Sequence, residues 1–178
     1  MSDPNDPNAP TSADKLKSFL EALAPDAGEA RLLALMNGQK DGWGAAMGLV
    51  YVRATPELVV ARWTVGKHHL QPAGLVHGGV HCGVIESVCS IGASIAAASR
   101  GHRGQVVGLE NHTSFLRAMK LGATLEATAT PLTRGRTTHV WEARIREVAR
   151  EEVSGTPEPG DGALVARGTV RLLLVAST

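Results

Sequence analysis

The longest apolar stretch of this chain, residues 76–99, constrains its fold more than any other feature. It follows the Gly- and Pro-containing segment 71–75 and keeps no β-branched pattern, so its length predicts one long buried helix. A membrane-spanning helix is the weaker interpretation, because His77, His81 and Glu86 interrupt the apolar run. The rest of the chain must therefore supply the surface that buries this helix.

Segments typical of β-strands stand on both sides of the predicted helix. Residues 46–54 and 57–65 are joined by the turn signal Thr55-Pro56, which predicts a hairpin. Four more β-rich segments come after the helix, and these are 105–116, 122–132, 137–148 and 163–175. One strongly apolar helix among antiparallel strands predicts an α+β domain in which a sheet wraps around that helix.

The N-terminal part of the chain differs in composition from this domain. Residues 1–11 are rich in Pro, Asn and Asp, and we expect a disordered tail. Thr11 and Asp14 have the spacing of a capping box, so we expect a helical segment over residues 12–42. The main domain is then predicted to span residues 43–178.

Charge and cysteine content limit the classes of function. A formal net charge of +1 and only six aromatic residues (three Trp, two Phe, one Tyr) give no sign of a nucleic-acid or membrane partner. Cys82 and Cys89 are seven residues apart on the predicted helix, about 10 Å, which is beyond disulfide reach. The first residues lack the basic and apolar regions of a signal peptide. We therefore expect a cytoplasmic protein with reduced thiols.

Glu86 is the one charged residue between positions 68 and 99. Burying a lone carboxylate is costly unless the group has a partner or a function, which makes Glu86 a candidate catalytic residue. Small residues occupy most helical neighbour positions around it, and these are Gly79, Cys82, Gly83, Cys89, Ser90 and Ala93. The structural alternative is an ion pair between Glu86 and Arg117 or Arg144.

Two glycines, Gly78 and Gly79, begin the predicted helix. The first amides of a helix lack internal partners and lie at the positive end of its dipole, so they are candidate donors to a carbonyl oxygen. Gly78 and Glu86 are eight residues apart, about 12 Å along one helix axis, which is too far for both to reach one carbonyl. Two antiparallel helices from two subunits remove this conflict, so a working site requires at least a dimer.

Residues 71–92 (QPAGLVHGGVHCGVIESVCSIG), followed by 105–110 (QVVGLE), resemble a known family. They are similar to the PaaI-like and 4-hydroxybenzoyl-CoA thioesterase branch of the hotdog superfamily, and especially to 1,4-dihydroxy-2-naphthoyl-CoA thioesterases. The resemblance covers about residues 43–175. It implies a hotdog fold, hydrolysis of an acyl-CoA with an aromatic acyl group, and a homodimer or homotetramer. Coenzyme A enters as part of the substrate, and no cofactor or metal is implied.

The resemblance also implies roles for individual residues. Glu86 corresponds to the nucleophile or general base, and Gly78 to the amide that polarises the thioester carbonyl on the opposite subunit. Gln71 corresponds to the Gln that assists at the carbonyl, His77 to the catalytic-site His of the glycine motif, and Ser90 to the hydroxyl residue that positions water. Gly79 is a candidate substrate-binding residue. Basic residues near the surface hold the coenzyme A phosphates, and the candidates by position are Arg117, Arg134 and Arg136. The chain departs from close relatives at 111–115 (NHTSF), where the acyl pocket is lined.

Four other interpretations remain open. A hydratase or dehydratase of the same fold also uses a carboxylate on the central helix, but with a His-x-x-Gly-x-Pro motif that this chain lacks around His77. A non-catalytic acyl-CoA-binding domain does not need Glu86. A metal site at His77 and His81 lacks a His-Glu-x-x-His pattern. A nucleophilic Cys82 or Cys89 lacks a neighbouring base.

Overall fold

The computed structural model describes residues 11–23, 28–39, 41–148 and 162–176. The predicted tail lies almost wholly outside these residues, as does most of the polar stretch 149–162 between the last two strands. The helices are α1 (Ser12–Ala22), α2 (Gly28–Gly38), α3 (Trp43–Ala46) and α4 (Gly78–Ala98). The strands are β1 (Val50–Ala54), β2 (Val59–Thr64), β3 (Gln105–Phe115), β4 (Thr124–Arg134), β5 (Thr138–Glu147) and β6 (Leu164–Val175).

Helix α4 confirms the central prediction. It begins after His77, whose ring Nδ1 accepts a hydrogen bond of 2.9 Å from the Gly79 amide and so caps the helix. It starts two residues later than the apolar run, because the amide of Val76 is bound to the Met119 carbonyl at 2.9 Å. Among the described residues, α4 alone has the length and composition to cross a membrane, and most of it is buried inside the fold.

The strands form one six-stranded antiparallel sheet in the order β1-β2-β4-β5-β6-β3. The concave face of this sheet packs on α4, where Val84, Ile85 and Val88 are fully buried. A Cβ atom at Gly92 would collide with the ring of the buried Trp141, so this glycine lets helix and sheet approach closely. The predicted α+β fold with a sheet around one helix is therefore confirmed.

The two edge strands of the sheet, β1 and β3, differ in how far their backbone groups are covered. At the β1 edge, the Asn37 side chain of α2 binds both the amide and the carbonyl of Tyr51, each at 2.8 Å. Glu29, also on α2, accepts a hydrogen bond of 2.7 Å from the Ala54 amide. These side chains occupy backbone groups that would otherwise pair with another strand.

Strand β3 forms the other edge, and among the described strands it pairs with β6 alone. It is eleven residues long and mostly exposed. Large apolar side chains stand on it, with exposed fractions of 38% for Val107, 50% for Leu109 and 55% for Phe115. A long edge with apolar side chains is favourable for pairing with another chain.

Candidate active site

Glu86 lies near the middle of α4, half-buried, with its carboxylate directed at β3. Oε2 accepts a hydrogen bond of 3.1 Å from the Asn111 side chain. The Ser90 hydroxyl lies 3.5 Å from Oε1, at the outer limit of a hydrogen bond. Arg144 binds Glu142 at 2.8 Å instead, so the structure does not form the Glu86–Arg144 ion pair that was the structural alternative.

Asn111 is a site residue that the sequence analysis did not identify. Its Nδ2 also donates to the Cys82 carbonyl at 3.1 Å, and its Oδ1 accepts from the Thr113 hydroxyl at 2.7 Å. Both ends of the carboxamide are therefore held, which fixes the donor that faces Glu86. The departure from the family pattern at 111–115 was the available signal, but it did not specify which side chain meets the carboxylate.

A bulge in β3 brings two residues of that strand to Glu86. The register with β6 shifts between Gly108 and Glu110, so Gly108 pairs with Leu172 and Asn111 pairs with Val170. Both partners are fully buried, and hence Gly108 and Asn111 both face α4. A Cβ atom at Gly108 would collide with Glu86 Oε1 and lie 3.1 Å from Cδ. Only glycine leaves room for the carboxylate at this position.

The N-terminal end of α4 holds the glycine pair. The amide of Gly79 is bound by the His77 ring, whereas Gly78, one position earlier, provides the first amide of the helix, which has no partner within it. The Phe115 ring lies against Gly78, where a Cβ atom would be 2.8 Å from its Cε2. His77 is thus a helix cap in this structure, a role that the resemblance did not include.

Gln71 is held close to the same helix end by a tight loop. Its amide donates to the Leu75 carbonyl at 2.8 Å, and its own carbonyl accepts from Gly74 at 2.9 Å. Gly74 has φ +76°, which favours glycine. The His77 amide binds the carbonyl of the buried His69 at 2.9 Å, which ties the loop to the start of α4.

Comparison with known proteins shows the family to which the chain belongs. A family model described as the Thioesterase superfamily matches residues 73–154. A Mycobacterium tuberculosis protein named "Putative esterase MT1895" is 36% identical over 126 residues, which are 71% of this chain and 81% of that protein. The chain belongs to the thioesterase superfamily. The thioesterase is also similar to the crystal structure of S. sahachiroi AziG, with 37% identity, a TM-score of 0.66, and coverage of 78% of this chain and 100% of that one.

A further relative of the thioesterase is 1,4-dihydroxy-2-naphthoyl-CoA thioesterase 2 of Arabidopsis thaliana. It is 28% identical over 106 residues, which are 60% of this chain and 65% of that protein. The resemblance drawn from residues 71–92 is therefore confirmed, and with it the hotdog fold and the enzyme class, a thioester hydrolase.

Within one subunit of the thioesterase, the predicted site residues form two groups. Glu86 and Ser90 lie together in the middle of α4, whereas Gly78, Gly79, His77 and Gln71 lie at its N-terminal end. Gly78 and Glu86 are eight positions apart, which corresponds to about 12 Å since α4 is one continuous helix. One subunit therefore does not bring the carboxylate to the amide.

The three candidate arginines are also separated. Arg117 follows β3 near the start of α4, and its amide binds the Val165 carbonyl at 3.1 Å. Arg134 lies at the opposite end, where its guanidinium contacts Glu57 at 3.3 Å and its carbonyl accepts from Arg100 at 2.8 Å. Arg136 is exposed in the turn between β4 and β5. In one subunit, Arg117 and the Arg134–Arg136 turn belong to opposite ends of the central helix.

One face of α4 is only partly covered, with the Trp43 ring over Gly83 and with Phe19 and Leu23 across a cavity from Ser94. Its residues are only half-buried although the opposite face is sealed by the sheet, and they are Cys82, Gly83, Glu86, Ser87, Ser90, Ile91 and Ser94. Positions three and four residues apart lie on one side of a helix, so these residues form a continuous strip. Such a strip is suited to packing against a second helix.

The remaining titratable groups near Glu86 do not provide an alternative nucleophile or ligand set. Burial and the nearby Glu86 carboxylate raise the pKa of the Cys89 thiol far above its ordinary value, which keeps it protonated. Burial lowers the pKa of His81, which favours its neutral form. In the described part of the chain, no three His, Cys, Asp or Glu side chains cluster as metal ligands would.

Proposed function

We propose that this thioesterase hydrolyses an acyl-CoA thioester to the free acid and coenzyme A, with Glu86 as nucleophile or general base. The observation that carries the proposal is the Glu86 carboxylate itself. It is half-buried on an otherwise uncharged helix, oriented by Asn111, and given room by Gly108. A carboxylate with no cationic partner among its hydrogen-bond contacts, and with one oxygen beside the Ser90 hydroxyl, is suited to attack or to activate water.

The proposed mechanism starts with polarisation of the thioester carbonyl. The Gly78 amide donates to the carbonyl oxygen, assisted by the positive end of the α4 dipole and by the Gln71 side chain. Glu86 of the opposing subunit then attacks the carbonyl carbon, or removes a proton from a water held by Ser90 as that water attacks. The carbon–sulfur bond breaks and coenzyme A leaves as the thiol after protonation. Direct attack adds a second step, in which water cleaves the anhydride between Glu86 and the acyl group.

The proposal requires a dimer, and two features of the subunit support one. The N-terminal part of the half-buried strip, from Cys82 to Glu86, offers a surface for the same part of a second copy, and the open edge of β3 offers a strand for pairing. Antiparallel packing of two α4 helices places Gly78 of each subunit beside Glu86 of the other. A tetramer is a pair of such dimers, with the same two sites in each.

The substrate groups follow from position and from the relatives. Arg117 lies at the same end of α4 as Gly78 and is the candidate for a coenzyme A phosphate, whereas Arg134 is already engaged with Glu57. An aromatic acyl group is supported by the resemblance and by the name of the Arabidopsis relative. The reaction uses no cofactor other than the coenzyme A of its substrate, and a cytoplasmic location suits the free thiols of Cys82 and Cys89.

The test is release of coenzyme A from a panel of aryl- and alkyl-CoA thioesters, with wild type beside Glu86→Gln. We expect turnover to fall by about 10²- to 10⁴-fold in the variant, because the amide can neither attack nor accept a proton. Glu142→Gln on β5 is the matched control and should retain activity. A fully active Glu86→Gln variant would contradict the proposal. A folded wild type that hydrolyses no thioester, but hydrates an enoyl-CoA, would assign the site to the hydratase class.

A further inference from the structure

A second feature of the subunit extends the Glu86 site toward the N-terminal helices. A cavity of about 210 Å³ lies between the end of α1, the C-terminal half of α4 and the start of β3. Phe19 of α1 and Leu23, which directly follows α1, form one part of its wall. The other wall residues are Ser94 and Ala98 of α4, Gln105 and Val106 of β3, and His102 and Gly104 of the loop between them. None of the catalytic candidates lines it, so the cavity lies beyond the carboxylate niche.

The cavity is nevertheless in line with Glu86. Glu86, Ser90, Ser94 and Ala98 follow one another at intervals of four residues, so they form a row along one side of α4. Ser94 is two turns beyond Glu86, about 12 Å along the axis. Strand β3 runs beside this row in the opposite direction, with Gly108 against Glu86 and Val106 in the cavity wall.

The row beyond Glu86 contains two serines, yet the surface that it offers at Ser94 can accept an apolar ligand. The Ser94 hydroxyl donates a hydrogen bond of 2.8 Å to the Ser90 carbonyl one turn earlier, so its proton is used within the helix. Ala98 and Val106 add apolar atoms, Phe19 and Leu23 add large apolar groups, and His102 and Gln105 are the polar part of the wall. A chain that leaves Glu86 along α4 therefore passes over small residues and meets bulky ones at α1.

We propose that this cavity receives the far end of the substrate's acyl group, and that Phe19 and Leu23 set the length that the enzyme accepts. The inference rests on the proposed function, because it takes Glu86 as the place of the thioester carbonyl. An extended chain advances about 1.3 Å per carbon, so the 12 Å from Glu86 to Ser94 corresponds to roughly nine carbons. A benzoyl group ends well short of the cavity, so the cavity serves acyl groups that are longer than a single ring.

Phe19 lies on α1 and Leu23 is its C-cap, so both residues of the proposed stop are outside the part of the chain that the superfamily model matches. Leu23 is buried and Phe19 packs against the core. The N-terminal segment, which the resemblance left without a role, thus becomes the determinant of acyl length in this enzyme. Its replacement should change which substrate is preferred and leave the chemistry at Glu86 unchanged.

The experiment measures binding and hydrolysis separately, on the full chain. Calorimetry measures the affinity for a series of S-alkyl-CoA thioethers from S-hexyl to S-tetradecyl, which the enzyme cannot hydrolyse. We expect affinity to rise about fourfold for each methylene that the cavity buries, and then to stop rising. Phe19→Ala should move that limit to longer chains by at least two methylenes, and Phe19→Trp should move it to shorter ones.

Hydrolysis of the corresponding straight-chain acyl-CoA series should shift its optimum in the same two directions, while turnover of acetyl-CoA stays unchanged. Leu33→Ala on α2 is the matched control, since Leu33 packs against the core without lining the cavity, and it should leave the limit in place. The same length limit in wild type and both Phe19 variants overturns the inference. If no acyl-CoA is hydrolysed, but the Phe19 variants still shift the chain length at which thioether affinity stops rising, only the proposed function is overturned.

Discussion

The Asn111 side chain donates a hydrogen bond of 3.1 Å to Glu86 Oε2, and it joins the edge strand β3 to the centre of helix α4. The same nitrogen binds the Cys82 carbonyl, and the Thr113 hydroxyl fixes the opposite end of the amide. A donor held in this way orients the carboxylate without a cation. Asn111 thereby leaves the second oxygen, Oε1, on the side of Ser90.

We expect Asn111→Ala to lower kcat by about 10- to 100-fold, the range for loss of a hydrogen bond to a charged group. KM should change less than kcat, because the carboxamide of Asn111 is engaged by Glu86, Cys82 and Thr113. Asn111→Asp separates positioning from simple packing. A second carboxylate beside Glu86 raises the pKa of the pair, so the acid limb of the kcat–pH profile should move to higher pH. An unshifted acid limb in Asn111→Asp would contradict the positioning role.

The contact between Gly108 and Glu86 gives a second prediction. Gly108→Ala should destabilise the fold by about 1–3 kcal/mol and reduce turnover strongly, because the added methyl collides with Oε1. Removing the carboxylate removes the collision, so Gly108→Ala combined with Glu86→Ala should regain most of the lost stability. Urea unfolding of the four proteins in this cycle measures the coupling. Gly44→Ala, where the added atom meets only an ordinary 4.0 Å contact, is the control. Additive effects in the cycle would exclude the contact.

The central helix and the strands could be predicted from sequence because each is encoded locally. An apolar run without alternation specifies α4, and turn signals separate the strand segments. The Asn111–Glu86 contact could not be predicted, because it depends on the bulge between Gly108 and Glu110. One extra residue reverses which side chains of the strand face inward, and neither periodicity nor composition specifies where it falls.

The covered edge of the sheet was equally inaccessible from sequence. Asn37 and Glu29 satisfy backbone groups of β1 from a helix more than ten residues away, and a polar residue on a short helix is ordinarily solvated. These two side chains block the β1 edge of the sheet by occupying its backbone groups. This leaves β3 as the described edge that is available for pairing, which relates the N-terminal segment to the predicted dimer.

The shared active site predicts that two inactive variants complement each other. Glu86→Gln and Gly78→Ala should each be inactive alone, the second because its added methyl disturbs the helix start against Phe115. Co-expression of the two should give about a quarter of wild-type turnover, since half of the random dimers are mixed and each mixed dimer holds one intact site. Separately tagged subunits allow the mixed dimer to be purified and assayed. Background activity in that dimer would place Gly78 and Glu86 in a site of one subunit.

The buried histidine of β5 predicts how stability depends on pH. His139 is 1% exposed, and burial, followed by Arg100, Arg134 and His102, lowers its pKa below the ordinary value of 6.5. At a pH between the folded and the unfolded pKa of His139, this side chain is therefore protonated in the unfolded chain and neutral in the folded one. The stability contributed by neutral His139 is complete above pH 6.5 and is lost as the pH falls through that value toward the folded pKa.

We therefore expect the free energy of unfolding to fall less between pH 7 and pH 5 in His139→Leu than in wild type, with urea unfolding at a fixed protein concentration as the measurement. Part of the acid sensitivity should remain in the variant, because burial also lowers the pKa of His81 and of His69. His112→Gln on the exposed face of β3 tests whether any histidine has the same effect, and its loss should leave the wild-type slope nearly unchanged. Equal slopes for wild type and His139→Leu would mean that His139 accepts its proton as readily in the folded subunit as in the unfolded chain.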